Sequence, residues 1–515
     1  MDGIRFSSRT GSALVAISAL AACSSSPAPD VAPDPRAAVA AAATRIDSAG
    51  ILGHVAFLAS DELAGRDTPS PGLEAAAEYI ARRFDALGLT PAGDDGGWLQ
   101  RYPYISASFD AEASSLTAEG EGGGASLAFG EQWFAMPLSP ERERLHAGVV
   151  YGGAVGDNAY PPEAEGRVVA VTSGPGLGME LFTEIGYAVQ SGAAGLLIIL
   201  NPAIPAQAIP SITEQVAGLP AQEIPVLGVL RSAAADLFKA AGLDIDAVAP
   251  TEGSGTPMDL GFDLSIRVAM GREEFDPPNV VALLPGSDPA LGESYVVYSA
   301  HFDHVGIGTP DAEGDSIYNG ADDDASGTAL VLEVAEAFAS LPDPPKRSIL
   351  FLAVSGEEKG LLGAKYWADN PTVPIERVVA NINADMVGRN APDTLIAIGG
   401  EYSSLGPLSE QVAAAHPDLG LIVAPDPDPS ENAFFRSDHV AFVRKQVPAV
   451  FFTTWLHEDY HAPSDEVDAI DADKLARVSR LAFRVGWEVA QDVTPPSWNP
   501  GAWDEVSRVL EESPF

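Results

Sequence analysis

Two styles of hydrophobic patterning divide the chain. From residue 279 onward, near-continuous apolar runs occur at 279–284, 295–300, 348–354, 378–382, 394–398, 420–424 and 448–453. Between them, apolar positions recur at helical spacing over 325–340, 361–369, 403–415 and 471–490. Continuous apolar strands alternating with amphipathic helices predict an α/β fold: a mostly parallel mixed sheet covered by helices on both faces. Residues 145–255 read differently. Short β-like runs at 148–151, 167–172, 195–200 and 224–230 are separated by Gly/Pro turns, with helical stretches near 180–192 and 232–241. That section predicts a smaller, separate α/β domain without chemistry of its own. Before it, 37–87 is helical in pattern, with a stop at Gly88, and 116–129 is Gly/Ala/Glu-rich and weakly periodic. The expected division is therefore 45–140 with 260–492 as one discontinuous domain, 141–259 as an insertion, and 493–515 as a peripheral tail.

The N-terminus has its own pattern. Arg5 and Arg9 precede an apolar run over 13–22, which ends at Cys23. A charged start, a short apolar core and small residues are the layout of a secretory signal, and the run is too short to span a bilayer. Leu20-Ala21-Ala22-Cys23 resembles the lipobox of bacterial lipoproteins. The resemblance implies that 1–22 is removed and that Cys23 carries lipid. Ser24 in the next position resembles signals for the bacterial outer membrane. Residues 23–44 read as a flexible tether, Ser/Pro/Ala-rich over 24–35. The expected location is the bacterial cell envelope, with a lipid anchor as the only membrane contact.

Composition narrows the classes. An apolar fraction of 46% is ordinary for a folded protein, and 515 residues exceed one core. The single cysteine excludes an internal disulfide framework and a Cys-rich zinc site. With 73 acidic residues against 29 Lys+Arg, the net charge is −44. That surplus opposes nucleic-acid binding, which needs clustered basic residues. It reads first as a solvated, self-repelling surface.

In open α/β sheets, ligands bind beyond the carboxyl ends of the strands. There the apolar runs are followed by His301-Phe302-Asp303, by Gly356-Glu357-Glu358, by Asn383-Ala384-Asp385 and by a loop holding Tyr460-His461. Asp322-Asp323-Asp324 opens a helix nearby. Each piece alone reads equally as capping acids or solvated turns. Together they converge on one sheet edge, and crowded carboxylates repel unless cations are bound. His, Asp and Glu without thiolate form the ligand set of a hard or borderline divalent metal.

The motifs SAHFDHVG, NGADDDASG, SGEEKGLLGAKYW, NINADMVG and DYHAPSDEVD resemble, in order and type, those of the co-catalytic two-zinc aminopeptidases, a family that includes glutamate carboxypeptidases. The resemblance spans roughly 50–490. It implies two Zn2+ per chain. His301 and Asp385 would bind one zinc, Glu358 and His461 the other, and Asp323 would bridge them. It further implies Glu357 as general base and acid, and Asp303 as the carboxylate orienting His301. The segments GYAVQSGAAGLLIILN and IPVLGVLR resemble a protease-associated domain, inserted in several relatives. His304 reads as a neighbour of the site, and Ser437-Asp438-His439 as a supporting loop. His54, His146, His416 and His457 have no evident partner.

The expected activity is exopeptidase action on peptides, with an aminopeptidase as first reading. A carboxypeptidase of the glutamate carboxypeptidase type is the alternative, and would need Arg389 or Arg436 to hold a carboxylate. Glutaminyl cyclases share the fold but resemble the chain less. A serine hydrolase is disfavoured because no G-x-S-x-G turn is present. A non-catalytic envelope binding protein is the reading from another class.

Overall fold

The computed structural model describes residues 35–512, apart from 121, 139–142, 159, 176–179, 218, 220, 252 and 430–431. The expected signal segment 1–22, Cys23 and Ser24 lie outside the described residues. Within the expected tether, Pro35–Ala43 is a helix. Its alanines favour helix, and Val39, Ala42 and Ala43, spaced three and four apart, are buried in the main core.

Among the described residues, nine strands form the larger sheet. Its centre is four parallel strands in the order Ser348–Val354, Tyr295–His301, Val378–Ala384, Ala449–Thr453. Pro278–Leu284 and Thr394–Ile398 flank them antiparallel. Alternate residues of each strand enter opposite cores, as the two-residue strand period requires. Val296, Tyr298, Ile349 and Phe351 pack with the helices Ser48–Leu58, Pro71–Ala86, Gly327–Ala339 and Ala472–Gln491. Val297, Leu350, Leu352 and Val354 pack on the other face with Trp367 and Phe442. The near-continuous apolar runs are thus strands covered on both sides.

Local signals set the helix ends. The Ser70 hydroxyl accepts from Leu73 N at 3.0 Å, Pro71 starts the helix, and Gly88 follows it at φ +72. Asp471 caps the long helix 472–491 by accepting from Lys474 N. Gly486 lets that helix touch the sheet, since a Cβ there would stand 1.8 Å from the Tyr298 hydroxyl.

A second sheet has eight strands. Its parallel centre is Arg144–Ala154, Val168–Thr172, Gly195–Leu200 and Val226–Leu230. Ser115–Gly120, Gly123–Leu127 and Trp133–Ala135 also belong to it, as does Met258–Arg267. Its core therefore gathers residues from Leu116 to Val268, wider than the expected 141–259. The strands Ser115–Gly120 and Gly123–Leu127 are short, antiparallel and largely exposed, with only Leu116 and Ala118 buried in the first and Leu127 in the second. Such strands leave little apolar trace in a Gly/Ala-rich stretch. A two-stranded ribbon, Tyr104–Phe109 with Met270–Phe275, stands where the chain passes between the sheets.

The tail is not merely peripheral. The helix Ala502–Glu512 buries Val506 against Phe434, and Trp498 Nε1 donates to Gln446 O at 2.9 Å. No helix among the described residues is long and apolar enough to cross a membrane.

Candidate active site

The four central strands run parallel, so their carboxyl ends share one edge. His301 is the last residue of its strand, and Asp385 directly follows Val378–Ala384. Glu357 and Glu358 follow Ser348–Val354 through Gly356, which has φ +71 and no room for a Cβ beside the Tyr102 hydroxyl. Asp323 lies in the turn that enters the helix Gly327–Ala339. His461 comes from the loop after Ala449–Thr453. Met386, Trp455 and His461 hold positive φ values of 56, 77 and 52, backbone strain gathered around one site.

Two ligand sets meet at Asp323. On one side, His301 Nε2 stands 3.3 Å from Asp323 Oδ1 and 3.6 Å from Asp385 Oδ1. On the other, His461 Nε2 stands 3.1 Å from both Asp323 Oδ2 and Glu358 Oε2. Thus the two oxygens of one carboxylate face two different histidines. All five residues the sequence singled out as ligands come together here, and both sets are compact enough to hold a metal ion, the second with His304 as a further member that the sequence reading took only for a neighbour.

A layer of hydrogen bonds holds these groups. Asp385 Oδ2 accepts from the Ser437 hydroxyl at 2.7 Å. Asp303 accepts from Thr68 Oγ1 at 3.1 Å and from Glu357 N at 3.2 Å, so it joins the two glutamates' loop to the His301 loop. Its own carbonyl O is 3.2 Å from His301 Nδ1, and its carboxylate 3.7 Å. Asp303 therefore faces His301 chiefly through its backbone.

Asp322 and Asp324 turn away from the metal positions. Asp324 accepts from His301 N, Gly327 N and Met386 N at 2.8–3.2 Å, clamping two strand ends to the helix start. Asp322 Oδ1 accepts from Gly388 N, and its Oδ2 faces His457 Nε2 at 3.3 Å. Asp465 accepts from the backbone N–H of Asp322 and of Asp323. Arg66, fully buried, donates to Phe302 O, Asn319 O and Gly320 O, and so ties the His301 loop to the Asp323 loop.

Sequence reasoning missed Asp324, Asp465, Arg66 and the His457 contact. Asp324 and Asp465 lie inside quoted motifs, and that position was the available signal. The other histidines are structural. His54 Nδ1 meets the Tyr79 hydroxyl at 2.7 Å, and His146 meets Ser265 at 2.8 Å. His416 lies against Arg484.

The donor set fits divalent cations. Burial pushes the Asp385 carboxyl up, and neighbouring Asp323 adds to it. Burial likewise holds Glu357 well above the usual carboxylate range, with Glu358, Asp438 and Asp385 adding to it. Burial opposes charge on His461, yet its contacts with Asp323 and Glu358 push it up to about 10. The imidazole nitrogens and carboxylate oxygens converge on the positions where a metal would sit. Glu357 has no place in either ligand set and lines a cleft beside them. His301, Asp323 and Asp385 form the cavity's polar wall. Met386, Phe451, Trp455, Leu456 and Tyr460 form its apolar wall.

Residues 279–486 match the model of peptidase family M28. The matched segment contains all five expected ligands and Glu357. A probable zinc metalloprotease of Pyrenophora tritici-repentis is 29% identical over 266 residues, 42% of this chain and 52% of that protein. A probable leucine aminopeptidase of Arthroderma benhamiae is 25% identical over 232 residues, 44% of this chain and 61% of that protein. The chain thus spans about half the length of the curated relatives it matches. Among solved structures, an aminopeptidase from Aneurinibacillus sp. superposes with a TM-score of 0.57 at 20% identity. The match covers 87% of this chain and 95% of that one. A zinc aminopeptidase from Bacillus subtilis gives 0.53 at 18% identity, covering 87% and 96%. The larger and the smaller sheet together follow the fold of these structures.

Proposed function

We propose that the protein is a zinc-dependent aminopeptidase that holds two metal ions. The observation that carries this reading is Glu357, facing the cavity beside two ligand sets that share Asp323. His301 and Asp385 would hold one zinc, Glu358 and His461 the other, with Asp323 between them. Zinc bound there supplies Lewis acidity toward water and toward the scissile carbonyl.

The chain's own residues do the rest. Glu357 takes a proton from the attacking water and delivers it to the leaving amine. Asp303 anchors Glu357 through its backbone N–H. Ser437 fixes Asp385. The apolar wall of Met386, Phe451, Trp455 and Leu456 receives the side chain of the terminal residue.

One feature favours the amino end of a peptide. Arg389, one candidate for holding a substrate carboxylate, already donates to Asp459 at 2.5 Å and lies 3.8 Å from Asp465. Arg436 lines the cavity and is the group that a carboxypeptidase would use. Hydrolysis of aminoacyl anilides with a free N-terminus, compared with N-blocked dipeptides bearing a free C-terminus, decides between them. Turnover of the anilides is expected, and turnover of the blocked set alone would overturn the aminopeptidase reading.

Two further parts of the proposal rest on sequence resemblance. The smaller sheet is read as a protease-associated domain beside the cleft. Cys23 is read as a lipid-carrying residue that anchors the enzyme in a bacterial envelope. Loss of membrane association in Cys23→Ser tests the second, and persistence of it would overturn the anchor.

A further inference from the structure

The His304 imidazole is fully buried and stands close enough to Asp323, Glu358 and His461 to be a fourth member of their set, and neither the base nor the five expected ligands accounts for it. Its Nδ1 lies 2.8 Å from Glu358 Oε1 and 3.8 Å from Asp323 Oδ2. The ring stands edge-on to His461, with centroids 5.4 Å apart. Its own place is fixed. His304 N donates to Arg66 O at 3.3 Å, and Gly320, at φ +59, packs so close that a Cβ there would meet the ring at 2.6 Å. The ring therefore cannot swing away.

Two roles are open to a nitrogen so placed: an extra metal ligand, or an N–H donor to Glu358. Proton accounting separates them. A neutral imidazole carries one N–H. His304 Nε2 is buried and finds no hydrogen-bond partner among the described residues. If Nδ1 were the ligand, the N–H would fall on Nε2 and be orphaned. If Nδ1 carries the N–H, it is satisfied by Glu358, and Nε2 keeps only a lone pair. Buried orphan donors are rarer than under-used acceptors. The unequal distances agree, since one short contact to Glu358 is a hydrogen bond and 3.8 Å to Asp323 is not.

We infer that His304 is a positioning residue that grips Glu358 Oε1 and so turns Oε2 toward His461 and the cation they share. The inference rests on the two-zinc reading above. It explains a histidine one residue past Asp303 that neither binds metal nor meets substrate. It also makes the two half-sites alike in design. Asp385 is held by the Ser437 hydroxyl and Glu358 by the His304 imidazole, each through the oxygen not facing the cluster.

The test uses the full chain, stripped by a chelator and titrated with Zn2+ against a chromophoric competitor. Wild type is compared with His304→Ala and His304→Asn, because the Asn amide places an N–H donor where Nδ1 stands. Wild type should bind two zincs. His304→Ala should weaken one of them about 10–100-fold, the usual cost of losing a partner that orients a ligand. His304→Asn should recover most of that loss, which a purely space-filling role would not allow. X-ray absorption should count the same number of metal-bound imidazoles in wild type and His304→Asn. Unchanged zinc affinity in His304→Ala, no rescue by Asn, or an imidazole missing from the Asn variant's metal shell would each overturn the inference. A wild type that binds no zinc would instead overturn the zinc reading, and this inference with it.

Discussion

The two sheets of this protein are built alike and end differently. Both have four parallel central strands with buried apolar residues along their length. In the smaller sheet, Val168–Thr172 is followed by Ser173, Gly195–Leu200 by Asn201, and Val226–Leu230 by Arg231. These polar groups satisfy one another locally. Ser173 Oγ accepts from Asn201 N at 3.0 Å, and Arg231 pairs with Asp246 at 2.7 Å. In the larger sheet the equivalent positions deliver His301, Glu357, Glu358 and Asp385. Their side chains converge on one another, with His301 Nε2 and His461 Nε2 set between the carboxylates. Core burial makes a sheet in both cases. What the chain places just beyond the strand ends decides whether the sheet edge does chemistry.

This contrast can be broken by mutation. The largest effect is expected from Glu357→Gln, which keeps both ligand sets and removes the base. Steady-state kinetics should give a kcat about 10²–10⁴-fold lower, with zinc content unchanged. Near-normal turnover would remove Glu357 from the chemistry. Next come matched core truncations, Leu350→Ala in the larger sheet and Leu196→Ala in the smaller, both fully buried. Each should cost about 2–5 kcal/mol of stability in denaturant unfolding. Leu196→Ala should leave the zinc affinity of the folded protein untouched, and a fall there would mean that the sheets are not separable. Ser437→Ala removes the hydrogen bond to Asp385 and should weaken zinc binding about 10–100-fold in a competitive titration. The smallest effect is expected from Ser173→Ala, at the inert edge of the smaller sheet. It should change stability by about 1 kcal/mol or less and leave kcat unaltered.

Much of this was legible before the structure. The apolar runs located the strands of the larger sheet to within a few residues, because strands covered on both faces are apolar throughout. The gathering of His301, Asp323, Glu358, Asp385 and His461 was legible because each follows an apolar run or opens a helix at the same sheet edge. The rest was hidden for physical reasons. Asp324 and Asp465 act by accepting backbone N–H groups, and that role depends on loop conformation rather than residue pattern. Arg66 binds carbonyls from distant segments, so nothing near it in sequence marks its partners. Residues 115–135 contribute short antiparallel strands to the smaller sheet, and Gly and Ala leave these with little periodicity. The helix Pro35–Ala43 was legible from residue 37 in the helical pattern, and only the tether boundary, drawn at 44, ran over it.

The central claim is that two metal ions sit at the carboxyl edge of the larger sheet and share Asp323. Anomalous diffraction from crystals of the zinc-loaded protein, recorded on either side of the zinc edge, tests it directly. Two peaks about 3.5–4 Å apart are expected, one against His301 and Asp385 and the other against Glu358 and His461, with Asp323 between them. A single peak, a peak pair lacking Asp323, or no zinc at this edge would contradict it.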